Sequence, residues 1–85
     1  MANEKELLTI VVNGVPAVVE RNVNAPLRSA VEKALEQTGN VGQAIGNWEL
    51  RDANGNVLDL DRKIGDFNFP PDVKLFLSLK AGVGG

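Results

Sequence analysis

Leu7-Leu8-Thr9-Ile10-Val11-Val12-Asn13-Gly14-Val15-Pro16-Ala17-Val18-Val19-Glu20 is the stretch on which the fold turns. Two runs rich in β-formers flank Asn13-Gly14, the strongest short hairpin signal, because a two-residue type I′ turn needs positive φ at both central positions. Such a turn pairs Val12 with Val15, Val11 with Pro16 and Ile10 with Ala17. The pair next to the turn is hydrogen-bonded, so Val11 and Pro16 form a non-hydrogen-bonded pair. Pro16 then turns its missing N–H away from the partner strand, a position open to proline only on a sheet edge. We therefore expect the second strand to be an edge. In this register Leu8, Ile10, Val12, Val15, Ala17 and Val19 form the core face, and Leu7, Thr9, Val11, Pro16, Val18 and Glu20 form the other.

Downstream, residues 22–26 read as a loop into a helix, with Asn24 as N-cap and Pro26 in the first turn. Leu27, Ala30, Val31, Ala34 and Leu35 form one amphipathic stripe, and Gly39 is a C′ stop. About three turns of helix result, laid across the core face. The connection 39–47 is polar and glycine-rich. Residues 48–51 read as a short strand with Trp48 and Leu50 on one side and Glu49 and Arg51 on the other. Asn54-Gly55 repeats the hairpin signal, after which Val57 and Leu58 restart a strand. Residues 61–69 have loop character, anchored by Ile64, Phe67 and Phe69, and Pro70-Pro71-Asp72 forces a turn. In the last strand, 73–80, Val73, Leu75, Leu77 and Leu79 alternate with Lys74, Phe76, Ser78 and Lys80.

The element order predicts one α+β domain spanning residues 1–80, with a disordered start at 1–5 and a flexible tail at 81–85. Its mixed sheet has four to five strands, with one helix across one face. With 85 residues there is room for one small domain. The chain contains no Cys or His and no Tyr, and its only hydroxyl residues are Ser29, Ser78, Thr9 and Thr38. Nucleophilic triads and Cys/His zinc sites therefore lack their parts. Nine Lys and Arg stand against eleven Asp and Glu, a net charge of -2 that points away from nucleic acid. The longest uncharged apolar run, 7–12, is far short of the ~20 residues of a membrane span, and no basic region precedes it as in a secretory signal. A cytoplasmic protein without membrane partners is the expectation. Asp59, Asp61 and Asp66 lack the spacing of a calcium loop and read as a polar loop, so no metal ligands are assigned.

Three further stretches carry a resemblance. Residues 48–55 (Trp-Glu-Leu-Arg-Asp-Ala-Asn-Gly), the Ile64-Gly65-Asp66-Phe67 turn, and the ending 75–85 (Leu-Phe-Leu-Ser-Leu-Lys-Ala-Gly-Val-Gly-Gly) follow the hairpin and helix in order. Together they resemble the small bacterial ubiquitin-like modifiers of the β-grasp fold, over nearly the whole chain. The resemblance implies a substrate of other enzymes and no enzyme in itself. An activating enzyme using ATP and Mg²⁺ adenylates the Gly85 carboxylate, a partner cysteine takes it as a thioester, and an amine on a target protein completes an isopeptide bond. A conjugating enzyme and a deconjugating metallopeptidase are the further partners implied, and no cofactor is bound by the chain itself.

The physical case for the tail is steric. Gly84 and Gly85 have no Cβ, so they can thread a narrow channel, with Ala81, Gly82 and Val83 spanning the distance from the body. Five extended residues reach roughly 17 Å. Of the surface residues, Leu7, Val11, Val18 and Phe76 form a small apolar patch if the first and last strands are neighbours, and are scattered surface residues otherwise. Arg51 and Lys80 either steer an acidic partner or are ordinary solvated charges. Two other functions stay open: a sulfur carrier holding a thiocarboxylate on Gly85, and an interaction domain whose tail is incidental.

Overall fold

The computed structural model describes residues 7–82. The expectations of a disordered start at 1–5 and of roles for Val83, Gly84 and Gly85 lie outside the described residues. Strands β1 (Leu7–Val12) and β2 (Val15–Glu20) are followed by helix α1 (Leu27–Gln37), then β3 (Trp48–Arg51) and β4 (Lys74–Leu79). They form one four-stranded sheet in the order β2-β1-β4-β3. Strands β1 and β2 are antiparallel, β1 and β4 parallel, and β3 and β4 antiparallel.

The hairpin register is the one the sequence dictates: Val12 faces Val15, Val11 faces Pro16 and Ile10 faces Ala17. Asn13 and Gly14 take φ of 49° and 87°, the two positive values a type I′ turn requires. Strand β2 is an edge, and Pro16 sits on it. Leu8, Ile10, Val12, Ala17 and Val19 are buried against the helix stripe Leu27, Ala30, Val31, Ala34 and Leu35, together with Trp48, Leu50, Ile64, Leu75 and Leu77. Val15 departs from expectation: it is 53% exposed. It directly follows the turn at one end of the sheet, on the inward side of the alternation but outside the buried cluster of the described residues.

The helix termini differ from each other in how they are satisfied. Asn24 does not cap α1, whose N-cap is Pro26 without a side-chain hydrogen bond. Backbone carbonyls of a distant loop replace the cap: the N–H groups of Leu27 and Arg28 donate to the oxygens of Arg62 and Leu60, each at 2.9 Å. At the other end Gly39, with φ of 73°, donates to Glu36 O, and Asn40 donates to Leu35 O at 2.8 Å, the double closure of a Schellman motif.

The loop that caps the helix is itself anchored. Ile64 and Gly65 donate to the oxygens of Ala25 and Val23, and residues 64–67 close into a 3-10 turn. Gly65 packs closely on the segment it binds, since a Cβ there would lie 3.0 Å from the Val23 carbonyl oxygen and 3.1 Å from the Val23 Cβ, tighter than ordinary contact. The second hairpin signal also resolves differently from the first. Gly55 has positive φ and Asn54 does not, Gly55 N–H donates to Asp52 O, and Asp52 N–H donates to Asn56 O. This is a three-residue loop with a bulge, and Val57 contributes only an isolated bridge to Arg51 in place of a further strand.

Candidate functional site

The outer face of the sheet, opposite α1, carries the residues singled out from sequence. Because β1 and β4 are neighbours, Val11 lies beside Phe76, and Phe76 in turn lies beside Arg51. One row across the sheet therefore reads Pro16, Val11, Phe76, Arg51. The next row reads Val18, Thr9, Lys74, and Leu7 faces Glu20 beyond it. Val18 is diagonal to both Leu7 and Val11, a separation of roughly 7–8 Å. Leu7, Val11, Val18 and Phe76 thus surround Thr9 as one patch.

The two cations assigned to the same surface separate. Arg51 stands at the end of the apolar row, where its Nη2 donates to Glu49 Oε1 at 2.7 Å and its charge is locally neutralised. Lys80 is four residues along from Phe76, about 13 Å of strand, and belongs to the tail end of the molecule. It forms no ion pair among the described residues. Its N–H donates to Asn47 O at 2.9 Å, which ties the chain to the 3-10 turn at Ile45–Asn47 just before it leaves the sheet. Ala81 and Gly82 form a turn there, with Gly82 at φ 86°.

Several other charges are held in contacts within the protein. Arg28 donates to Asp61 at 2.6 Å; this hydrogen bond and the Asp61 charge raise the guanidinium pKa, and the pair is exposed. Asp61 N–H in turn donates to Asp59 Oδ1. Asp52 Oδ1 accepts the N–H groups of Asn54 and Asn56 at 2.9 and 3.0 Å, and Asp52 Oδ2 accepts Asn56 Nδ2. The Asn56 bonds hold the Asp52 carboxyl below its ordinary pKa. Among the described residues no group of acidic side chains is disposed to hold a metal ion, and no helix is long and apolar enough to cross a membrane.

Two features had no signal in the sequence. Arg21 donates from Nε to Leu7 O and from its two Nη atoms to Phe69 O and Pro70 O, all at 2.9–3.0 Å. It pins the start of the hairpin to the turn that launches β4. The second is a cleft where the Asp52 turn meets residues 67–74, which includes Phe67, Phe69, Asp72 and Phe76. Its two sides are far apart in sequence, so only the β3–β4 pairing brings them together.

A helix laid over a mixed sheet in which the first and last strands are parallel neighbours defines a ubiquitin-like β-grasp protein. Solved structures agree. A protein designed de novo on the basis of ubiquitin matches with a TM-score of 0.72 at 22% identity, over 93% of this chain and 93% of that one. The ubiquitin of Caldiarchaeum subterraneum matches with a TM-score of 0.70 at 20% identity, over 93% of this chain and 96% of that one. A second designed protein, on the template of human erythrocytic ubiquitin, gives 0.70 at 16% identity over 94% and 98%. At such identities the likeness shows the fold. The chain belongs to the family described as Protein of Unknown function (DUF2604), which matches residues 2–85. It is 55% identical over 78 residues, 92% of its length, to "Uncharacterized protein y4jI" of Sinorhizobium fredii, and spans 60% of that curated relative.

Proposed function

We propose that this chain is a ubiquitin-like modifier of a bacterial conjugation pathway in the cytoplasm, with Gly85 as the residue joined to target amines. The observation that carries this reading is an order of residues: β4, a central strand of a ubiquitin-like sheet, leads through Lys80 to a turn at Ala81 and Gly82, and Val83-Gly84-Gly85 follow in the sequence. Glycine at positions 84 and 85 leaves the Gly85 acyl carbon open to attack, and the sequence lacks the Cys, His and Tyr that catalysis of its own would draw on.

The chemistry belongs to partners. An activating enzyme joins the Gly85 carboxylate to AMP, releasing pyrophosphate from ATP held with Mg²⁺. An enzyme thiolate displaces AMP to give a thioester, and a conjugating enzyme passes the acyl group to a lysine amine, releasing the thiol. A metallopeptidase reverses the amide by hydrolysis. The tail end of the body, where Lys80 forms no ion pair among the described residues, is the part that meets these enzymes.

Lys80 is the last tryptic site, so digestion of a conjugate leaves residues 81–85 attached to the target lysine. In cells of the natural host, an N-terminally tagged chain is expected to leave that remnant on lysines of other proteins. Deleting Gly84 and Gly85 is expected to remove it while leaving the circular dichroism spectrum unchanged. Recovery of the tagged chain without any such remnant would sink the proposal, and sulfur in place of oxygen at Gly85 would assign the sulfur-carrier reading instead.

A further inference from the structure

We propose that the cleft at the start of β4 is a docking site for an extended partner segment that carries one arginine between apolar residues. The cleft has a volume of about 530 Å³ and is lined by the Asp52–Asn54 turn, by residues of the 67–74 segment and by Phe76. Phe67 and Phe69 are stacked on each other at 5.0 Å with 2° between their planes, and Arg62 stands over the Phe67 ring at 5.4 Å. Those two rings are thus partnered within the protein. Phe76 is 42% exposed and enters no aromatic or cation contact among the described residues. It is the ring left for an incoming group.

Charge selects what that group is. Asp52 and Asp72 line the cleft with Lys74, the one cation of its lining, while Arg51 beside Phe76 is paired with Glu49 and Arg62 over Phe67 stands 4.0 Å from Asp66; neither Asp52 nor Asp72 forms an ion pair among the described residues. The Asn54 and Asn56 donors keep Asp52 fixed in place. A guanidinium can lie flat on an aromatic face while its edge donates to carboxylates, which an ammonium does less well. Lys74 sets the limit, because a second adjacent cation would meet it; apolar neighbours of the arginine instead meet Leu58 and Val73. Arginine is among the residues that most often anchor interfaces, so a guanidinium seated on Phe76 beside two carboxylates suits the cleft as such an anchor.

The position separates this site from the tail. From Phe76, the lining residue of β4 nearest the tail, to Lys80 the chain runs four residues, about 13 Å of strand, so the cleft and the exit at Lys80 are separate places on the molecule. The inference stands whether or not Gly85 is conjugated.

The test uses the full ¹⁵N-labelled chain and two blocked peptides, Gly-Leu-Arg-Leu-Gly and Gly-Leu-Glu-Leu-Gly. The arginine peptide is expected to shift the amides of Ala53, Asn54, Asn68 and Phe76 saturably, and added salt to weaken the effect. Asp72→Asn and Phe76→Ala, both at exposed positions, are expected to bind about fivefold more weakly, whereas Val41→Ala, exposed and outside both the cleft and the sheet face, binds as the parent does. Absence of saturable shifts, equal binding of the glutamate peptide, or shifts centred on Leu7 and Val18 would each overturn the proposal.

Discussion

Asp52 shows how much one side chain organises at the surface. Its carboxylate accepts two backbone N–H groups and the Asn56 amide, closing the loop between β3 and the return through Val57. The ionised form is the better acceptor, which is why the Asn56 bonds depress its pKa. A depressed carboxylate contributes stability that is in place above its unfolded value of about 3.9 and is lost as pH falls through the lower folded value. Asp52→Asn removes that dependence. The parent is therefore expected to lose stability relative to Asp52→Asn as pH drops below about 4, and parallel acid-unfolding curves for the two proteins would contradict this. The Asp-x-Asn-Gly spacing advertises a turn in the sequence. That the turn is three residues long, with the side chain of Asp52 as its clasp, depends on where β3 ends.

At the scale of the element, the edge strand β2 is closed to further pairing by two separate devices. Its outward groups are those of Pro16, Val18 and Glu20, because the two-residue turn makes Val12 and Val15 the hydrogen-bonded pair. Pro16 has no N–H to offer. The carbonyl of Val18 already accepts Gln37 Nε2, reaching over from α1 at 2.7 Å. An open edge of this kind invites pairing with a second chain. Pro16→Val combined with Gln37→Ala is therefore expected to self-associate at lower concentration than the parent in sedimentation velocity. Identical concentration dependence of the two would show that the edge is protected by something else. Pro16 could be placed on an edge from its position in the hairpin alone. Gln37 could not, since nothing in a helix sequence states which strand its polar face overlooks.

For the whole molecule, β4 is the organising strand. It lies between β1 and β3, and Leu75 and Leu77 on its inner face are fully buried. Leu75→Ala is expected to cost about 2–5 kcal/mol, out of a total near 4–13 kcal/mol for a chain of this size. Arg21→Ala, which releases three carbonyls but at a partly solvated site, is expected to cost only about 1–2 kcal/mol. Both are readable by denaturant unfolding followed through Trp48, the single tryptophan, which is 3% exposed. A larger loss for Arg21→Ala than for Leu75→Ala would mean that the staple, and not the apolar core, holds β4 in place.

The sequence by itself determined the hairpin and its register, the edge position of β2, the helix stripe, the Gly39 stop and the inner face of β4. Each follows from local rules: positive φ at Asn13 and Gly14, the missing donor of Pro16, and the two periodicities of side chains. Only the tertiary structure decided that β4 runs beside β1, so that Val11 meets Phe76. It also decided that the 60–65 loop caps α1 in place of Asn24, that Glu49 neutralises Arg51, and that Asp52 and Phe76 share one cleft. Those contacts join residues distant in sequence, and their geometry is set by strand order and twist, which no short window of the chain encodes.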